Sequence, residues 1–170
     1  MGVKLGDILE KKQIQIEDLS HKSFAVDSSN ILYQFLSSIR QADGTPLMDS
    51  SGNITSHLVG LSSRVSNLIA KNIRLCFVFD GKSPILKVSE QEEREYKKKI
   101  AEKKFEEARK QGDTPNMYKY SMQTTRLTPD LIKEAKGLIS AFGLPIVDAP
   151  SEAEAQAAFM GERKDVDFVG

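Results

Sequence analysis

"IRLCFVFDG", residues 73–81, decides the fold. Its first seven residues are β-formers, and all but Arg74 are apolar. A half-exposed strand alternates apolar and polar; this run does not, so it reads as a strand buried on both faces. Such strands belong to parallel sheets covered by helices. The run ends in Asp80-Gly81, a pair that also suits a plain turn.

Working outward, shorter runs of the same kind stand at "SFAV" (23–26), "LPIVDA" (144–149) and "DVDFVG" (165–170). Helices fill the gaps. Asp27-Ser28-Ser29-Asn30 is cap chemistry, followed by a stripe of Leu32, Phe35, Leu36 and Ile39. A second helix, roughly 55–71, carries Leu58, Leu61, Val65, Leu68 and Ile69 on one face. The turn-rich "QADGTPLMDSSGN" (41–53) between them reads as a loop or small hairpin. Thr128 caps a third helix with Pro129 at N1, a Leu131, Ala135, Leu138, Ile139 and Phe142 stripe, and Gly143 at C′. In "DAPSEAEAQAAF" (148–159), Ser151 and Glu154 match a capping box that opens a further helix. Strands alternating with helices predict an α/β fold: one parallel sheet with helices on both faces.

Residues 87–126 differ. "KVSEQEEREYKKKIAEKKFEEARKQ" (87–111) is helix-forming and densely charged, with a thin apolar line of Tyr96, Ile100, Ala101, Phe105 and Ala108. "GDTPN" (112–116) reads as a break, and "MYKYSMQTTR" (117–126) has no clear period. A stretch so poor in apolar residues is expected to be mobile.

Composition bounds the function. The 170 residues, 39% hydrophobic and 28% charged, suffice for one domain with a sizeable core. The single cysteine, Cys76, excludes a disulfide framework and a cysteine-based zinc site, and fits a reducing intracellular compartment. No apolar run approaches membrane-spanning length. Net charge is zero but unevenly spread. Basic and acidic residues number 11 and 8 over 87–126, and 4 and 8 over 127–170. A basic collar beside an acidic centre suits a metal-using phosphate enzyme.

The acids sharpen this. Asp27 follows the run ending in Val26, Asp80 the run ending in Phe79, and Glu152 and Glu154 the run ending in Val147. In a parallel sheet, residues just after strands gather along the carboxyl edge, where such folds bind ligands. Four gathered carboxylates without histidine suit a hard cation such as Mg²⁺ or Mn²⁺. Each acid also has a plainer role as helix cap, turn or first-turn acid. Lys87, Arg94 and Lys98, spaced seven and four apart, share one helix face beginning seven residues after Asp80. They could steady a metal-bound phosphate, or simply face solvent. Tyr33 could stack on a nucleobase or sit half-buried. His57 reads as structural.

"FAVDSSNILYQFL", "FVFDGKSPILKVSEQEER" and "APSEAEAQAA" closely resemble the signature blocks of the flap endonuclease family of structure-specific 5′ nucleases, in an archaeal flavour, and "MGVKLGDIL" resembles its start. The resemblance implies a PIN-like fold holding two Mg²⁺ ions, with Mn²⁺ an acceptable substitute. It implies a branched DNA substrate with a 5′ flap, cut near the junction in replication and repair. Asp27, Asp80, Glu152 and Glu154 match the metal acids, Lys87 and Arg94 the phosphate-handling pair, and Tyr33 the base-stacking aromatic. Gly2 falls close to the site, and 87–126 matches a helical arch that orders around the flap. The family pattern continues past "VDFVG" into an Asp-x-Asp pair. Asp165 and Asp167 copy that spacing at the wrong end of their strand and are not assigned. Also implied, and outside these residues, are a DNA-gripping helical region and a C-terminal peptide that docks on the sliding clamp. The chain thus reads as the N-terminal half of a nuclease, weakly active or inactive alone, and cytoplasmic if archaeal. Two other readings share the acids: a non-catalytic nucleic-acid-binding or scaffold module, and a PIN-like ribonuclease.

Overall fold

The computed structural model describes residues 12–82 and 87–170. Four parallel strands form one sheet in the order β3-β2-β1-β4: β1 (Ser23–Asp27), β2 (Arg74–Phe79), β3 (Ile146–Asp148) and β4 (Phe168–Val169). The decisive stretch is the central strand β2. Leu75, Phe77 and Phe79 enter one core, and Cys76 and Val78 enter the other. The apolar run sits here because, beyond Arg74, neither face of the strand meets water.

The larger core joins β2 to three helices: α1 (Ser28–Ser38) through Leu32 and Phe35, α2 (Ser56–Ala70) through Leu61 and Val65, and α5 (Pro129–Ala141) through Ala135 and Ile139. Gly60 lets α1 and α2 approach, since a Cβ there would lie 2.4 Å from the Phe35 ring. The opposite core is built of small residues. Ala153, Ala157 and Met160 of α6 (Ala153–Glu162) meet Ala25, Cys76 and Val78. Each large side chain buried here contributes about 1.5–3 kcal/mol. Phe24 and Phe168 stack at 5.1 Å between ring centres, joining β1 to β4.

The expected α/β architecture with helices on both faces is therefore present. Two local expectations change. Residues 112–116 are not only a break: Gly112 ends α3 (Val88–Gln111) at φ +68°, and α4 (Thr114–Gln123) starts at once. Asp113 caps α4 by accepting the Asn116 N–H at 3.1 Å, with Pro115 in the first turn. The 41–53 stretch stays a loop, as expected, closed by isolated antiparallel bridges from Arg40 to Pro46 and from Met48 to Ile54 and by hydrogen bonds such as Leu47 N–H to Ser56 Oγ at 2.9 Å. On α3 the packed face is rotated from the apolar line. Ala101 and Ala108 are buried, but Tyr96 is 66% exposed and Ile100 also faces solvent. Glu95, Lys98 and Glu102 are half-buried instead. Among the described residues no helix is long and apolar enough to cross a membrane.

Candidate active site

Because all four strands run one way, the ends of β1, β2 and β3 share a rim, and Asp27, Asp80 and Asp148 stand on it. Asp27 closes β1 and caps α1, its Oδ1 accepting the Asn30 N–H at 3.0 Å. The neighbouring strand ends are stitched together. Ala149 N–H donates to the Phe79 carbonyl at 2.8 Å, and Gly81 N–H donates to the Ser151 carbonyl at 2.6 Å. A Cβ on Gly81 would stand 2.1 Å from the Ala149 oxygen, so only glycine permits this approach. Asp80 completes the seam, its Oδ1 accepting the Ala153 N–H at 2.8 Å.

That last bond corrects the capping-box reading. The cap residue of α6 is Glu152, not Ser151, and its side chain makes no capping bond. An acid from another strand satisfies the first amide of the helix. Asp80 is thereby held at the foot of α6, in whose opening residues Glu152 and Glu154 lie.

Lys87, at the N-cap of α3, pairs with Glu152. The hydrogen bond to Glu152, then its charge, raise the Lys87 ammonium above its ordinary pKa, with Glu90 and Glu154 adding to the field. Arg94 instead contacts Glu90 of its own helix at 2.5 Å and stays exposed. Lys98 donates to the Tyr33 hydroxyl at 2.5 Å, and that hydroxyl donates to the Thr125 carbonyl at 2.8 Å. Tyr33 is thus half-buried and hydrogen-bonded between α1, α3 and the segment before α5.

Other residues fall elsewhere. Asp148 turns to Lys136 of α5 at 2.5 Å. Asp167 lies at the opposite rim, its Oδ2 accepting from Ser23 N–H and Ser23 Oγ, each at 2.8 Å. Those bonds hold its pKa below the usual carboxylate range. His57 is fully buried. Its Nε2 lies 3.1 Å from Glu134 Oε2, yet neither ring nitrogen completes a hydrogen bond. Burial lowers its pKa. Gly2 lies outside the described residues. A cavity of about 500 Å³ opens away from the acids, beside Arg40, Phe105, Thr125 and Leu131. Sequence reasoning missed Arg126, which pairs with both Glu95 and Glu102 of α3. No local pattern signals it, because its partners lie 31 and 24 residues away.

The four proposed ligands are all carboxylates, a donor set that fits a hard divalent cation. Among the described residues, however, no three metal-ligating side chains stand within coordinating reach of one another. Asp27, Asp80 and Glu152 each engage a protein partner instead. The fold brings the acid-bearing segments to one rim without closing them around a common point.

A parallel α/β sheet with this acidic rim and a charged helical hairpin beside it defines a nuclease domain of the PIN-like class. The XPG N-terminal domain profile matches residues 1–101, and the XPG I-region profile matches residues 143–170. The flap endonuclease 1 of Methanothrix thermoacetophila is 52% identical over 169 residues, covering 99% of this chain and 50% of that protein. The solved flap endonuclease-1 of Methanococcus jannaschii superimposes with a TM-score of 0.71 at 42% identity, covering 99% of this chain and 53% of that one. The catalytic core of Rad2, solved in complex with DNA substrate, matches with a TM-score of 0.64 at 33% identity, covering 92% of this chain and 40% of that one. The chain belongs to the flap endonuclease family. It spans about half the length of the curated relatives it matches. Nucleases of this family use divalent metal ions.

Proposed function

We propose that this chain is the catalytic half of a structure-specific 5′-flap endonuclease that hydrolyses a DNA phosphodiester near the base of the flap. The observation that carries the reading is the seam at the carboxyl rim. There Asp80 bonds the first amide of the helix bearing Glu152 and Glu154, on the strand next to the one that ends in Asp27. The DNA-bound Rad2 relative supports a DNA substrate.

In this reading Asp27, Asp80, Glu152 and Glu154 hold Mg²⁺, or Mn²⁺ in its place. The bound cations supply Lewis-acid charge to the phosphodiester and its attacking water. The chain's own residues orient and neutralise. Lys87, at the foot of α3 and already against Glu152, and Arg94 two turns on, meet the phosphate. Lys98 adds contact to the DNA backbone, and Tyr33 offers its ring face to a base. The α3–α4 hairpin within 87–126 serves as the arch over the flap. A sliding clamp would dock on a peptide beyond residue 170, and the archaeal relatives favour a cytoplasmic protein.

Asp80→Ala and Asp80→Asn test this in the protein carrying the chain. Both remove the charge, so both should lower 5′-flap cleavage by at least about 10²-fold. Asparagine keeps an oxygen for the Ala153 amide, so it should preserve α6. Full-rate flap cleavage by either variant refutes the assignment. Preference for single-stranded RNA over flap DNA would redirect it to a ribonuclease.

A further inference from the structure

The α3–α4 hairpin is fastened to the body by polar contacts. The packed stripe of α3 begins with Glu95 and Lys98, continues through Ala101 and Glu102, and becomes wholly apolar only at Phe105 and Ala108. Spacings of three and four place Glu95, Lys98 and Glu102 on one face. Arg126, between α4 and α5, spans them: Nη2 meets Glu95 at 2.5 Å, and Nη1 meets Glu102. One residue away, the Thr125 carbonyl accepts from Tyr33, which accepts from Lys98. Glu95 directly follows Arg94, and Lys87 begins the same helix.

We infer that Arg126 is a positioning residue, a two-pronged latch that sets the lower half of α3 against the body and thereby fixes where Lys87 and Arg94 stand relative to the rim acids. A guanidinium suits this role because its planar fork addresses two carboxylates at once, whereas an ammonium presents one point charge. The contact is part-exposed, 37% for Arg126, so salt weakens it. The consequence for cleavage rests on the nuclease reading above; the latch itself does not.

The alternative role for Arg126, attracting the DNA backbone directly, predicts the opposite sign in one variant. Glu95→Gln with Glu102→Gln frees the arginine and removes two repelling charges. An attracting arginine then binds DNA more tightly and cleaves at least as fast. A latch loses its partners: kcat for flap cleavage falls about tenfold while KM stays level or drops, as for a misplaced catalytic group. Arg126→Lys, which can hold one glutamate, should lie between wild type and Arg126→Met.

The second arm needs neither DNA nor metal. Hydrogen exchange in the 170-residue chain should show amides over 95–102 exchanging about tenfold faster in the double variant and in Arg126→Met, with β2 unchanged. Unchanged exchange in both overturns the latch, and so does faster exchange with undiminished kcat. Because this arm is read without substrate, it stays decisive if flap cleavage itself fails to appear.

Discussion

The β2 strand and the α3 helix are both long elements of this chain, and they are held in opposite ways. In β2, Leu75–Phe79 loses almost all its surface to two apolar cores. Among its described side chains, Val88–Gln111 buries Ala101 and Ala108 and half-buries Phe105, with ion pairs and hydrogen bonds beside them. Apolar burial is not screened by ionic strength and is unforgiving of lost volume. Part-exposed ion pairs are individually weak and ion-sensitive. The same chain thus carries a rim of acids seated on apolar cores and, beside it, a charged hairpin held in part by salt-sensitive contacts. Under the nuclease reading proposed above, that division would let the hairpin yield to an incoming strand.

The largest test of the contrast is Phe77→Ala. It should destabilise the domain by about 3–5 kcal/mol, since it empties the centre of the larger core. Denaturant unfolding would show it, and a loss below about 1 kcal/mol would break the comparison. Next, Asp80→Ala should cost about 1 kcal/mol through the lost cap of α6, and Asp80→Asn distinctly less. Equal losses would mean that the oxygen bonded to the Ala153 amide is not what stabilises the start of α6.

A pH series comes third. Burial lowers the His57 pKa, so the folded state prefers the neutral ring while the unfolded chain protonates near 6.5. The unfolded state therefore binds more protons below that point. Stability should be full above about pH 6.5 and decline as pH falls through the interval down to the lowered folded value. Melting curves between pH 7.5 and 5 should show the slope, and His57→Gln should flatten it. A stability rising on acidification would show that Glu134 outweighs burial. Smallest of all, Tyr96→Ala should change stability by no more than about 0.5 kcal/mol, because the ring is 66% exposed. A larger loss would mean that α3 packs on its apolar line after all.

The elements that were legible in the sequence are those specified locally. β2 announced itself by an unbroken apolar run, and α5 by Thr128, Pro129 and Gly143 at its ends. α4 was obscured because Pro115, which fits a first helical turn, also reads as a breaker. The start of α6 was misplaced because its cap comes from Asp80, 73 residues earlier. On α3, periodicity chose Tyr96 and Ile100. The observed face begins one residue before Tyr96, at Glu95, where a distant arginine supplies the partner.

By itself the sequence determined the alternation of strands and helices and the arrival of Asp27, Asp80, Glu152 and Glu154 at one rim, since period, caps and parallel direction are local or follow from local rules. Only the tertiary structure decided what those acids touch, which face of α3 packs, and that Arg126 holds it. Side-chain pairing depends on which residues distant in the chain become neighbours, and no spacing along the chain encodes that.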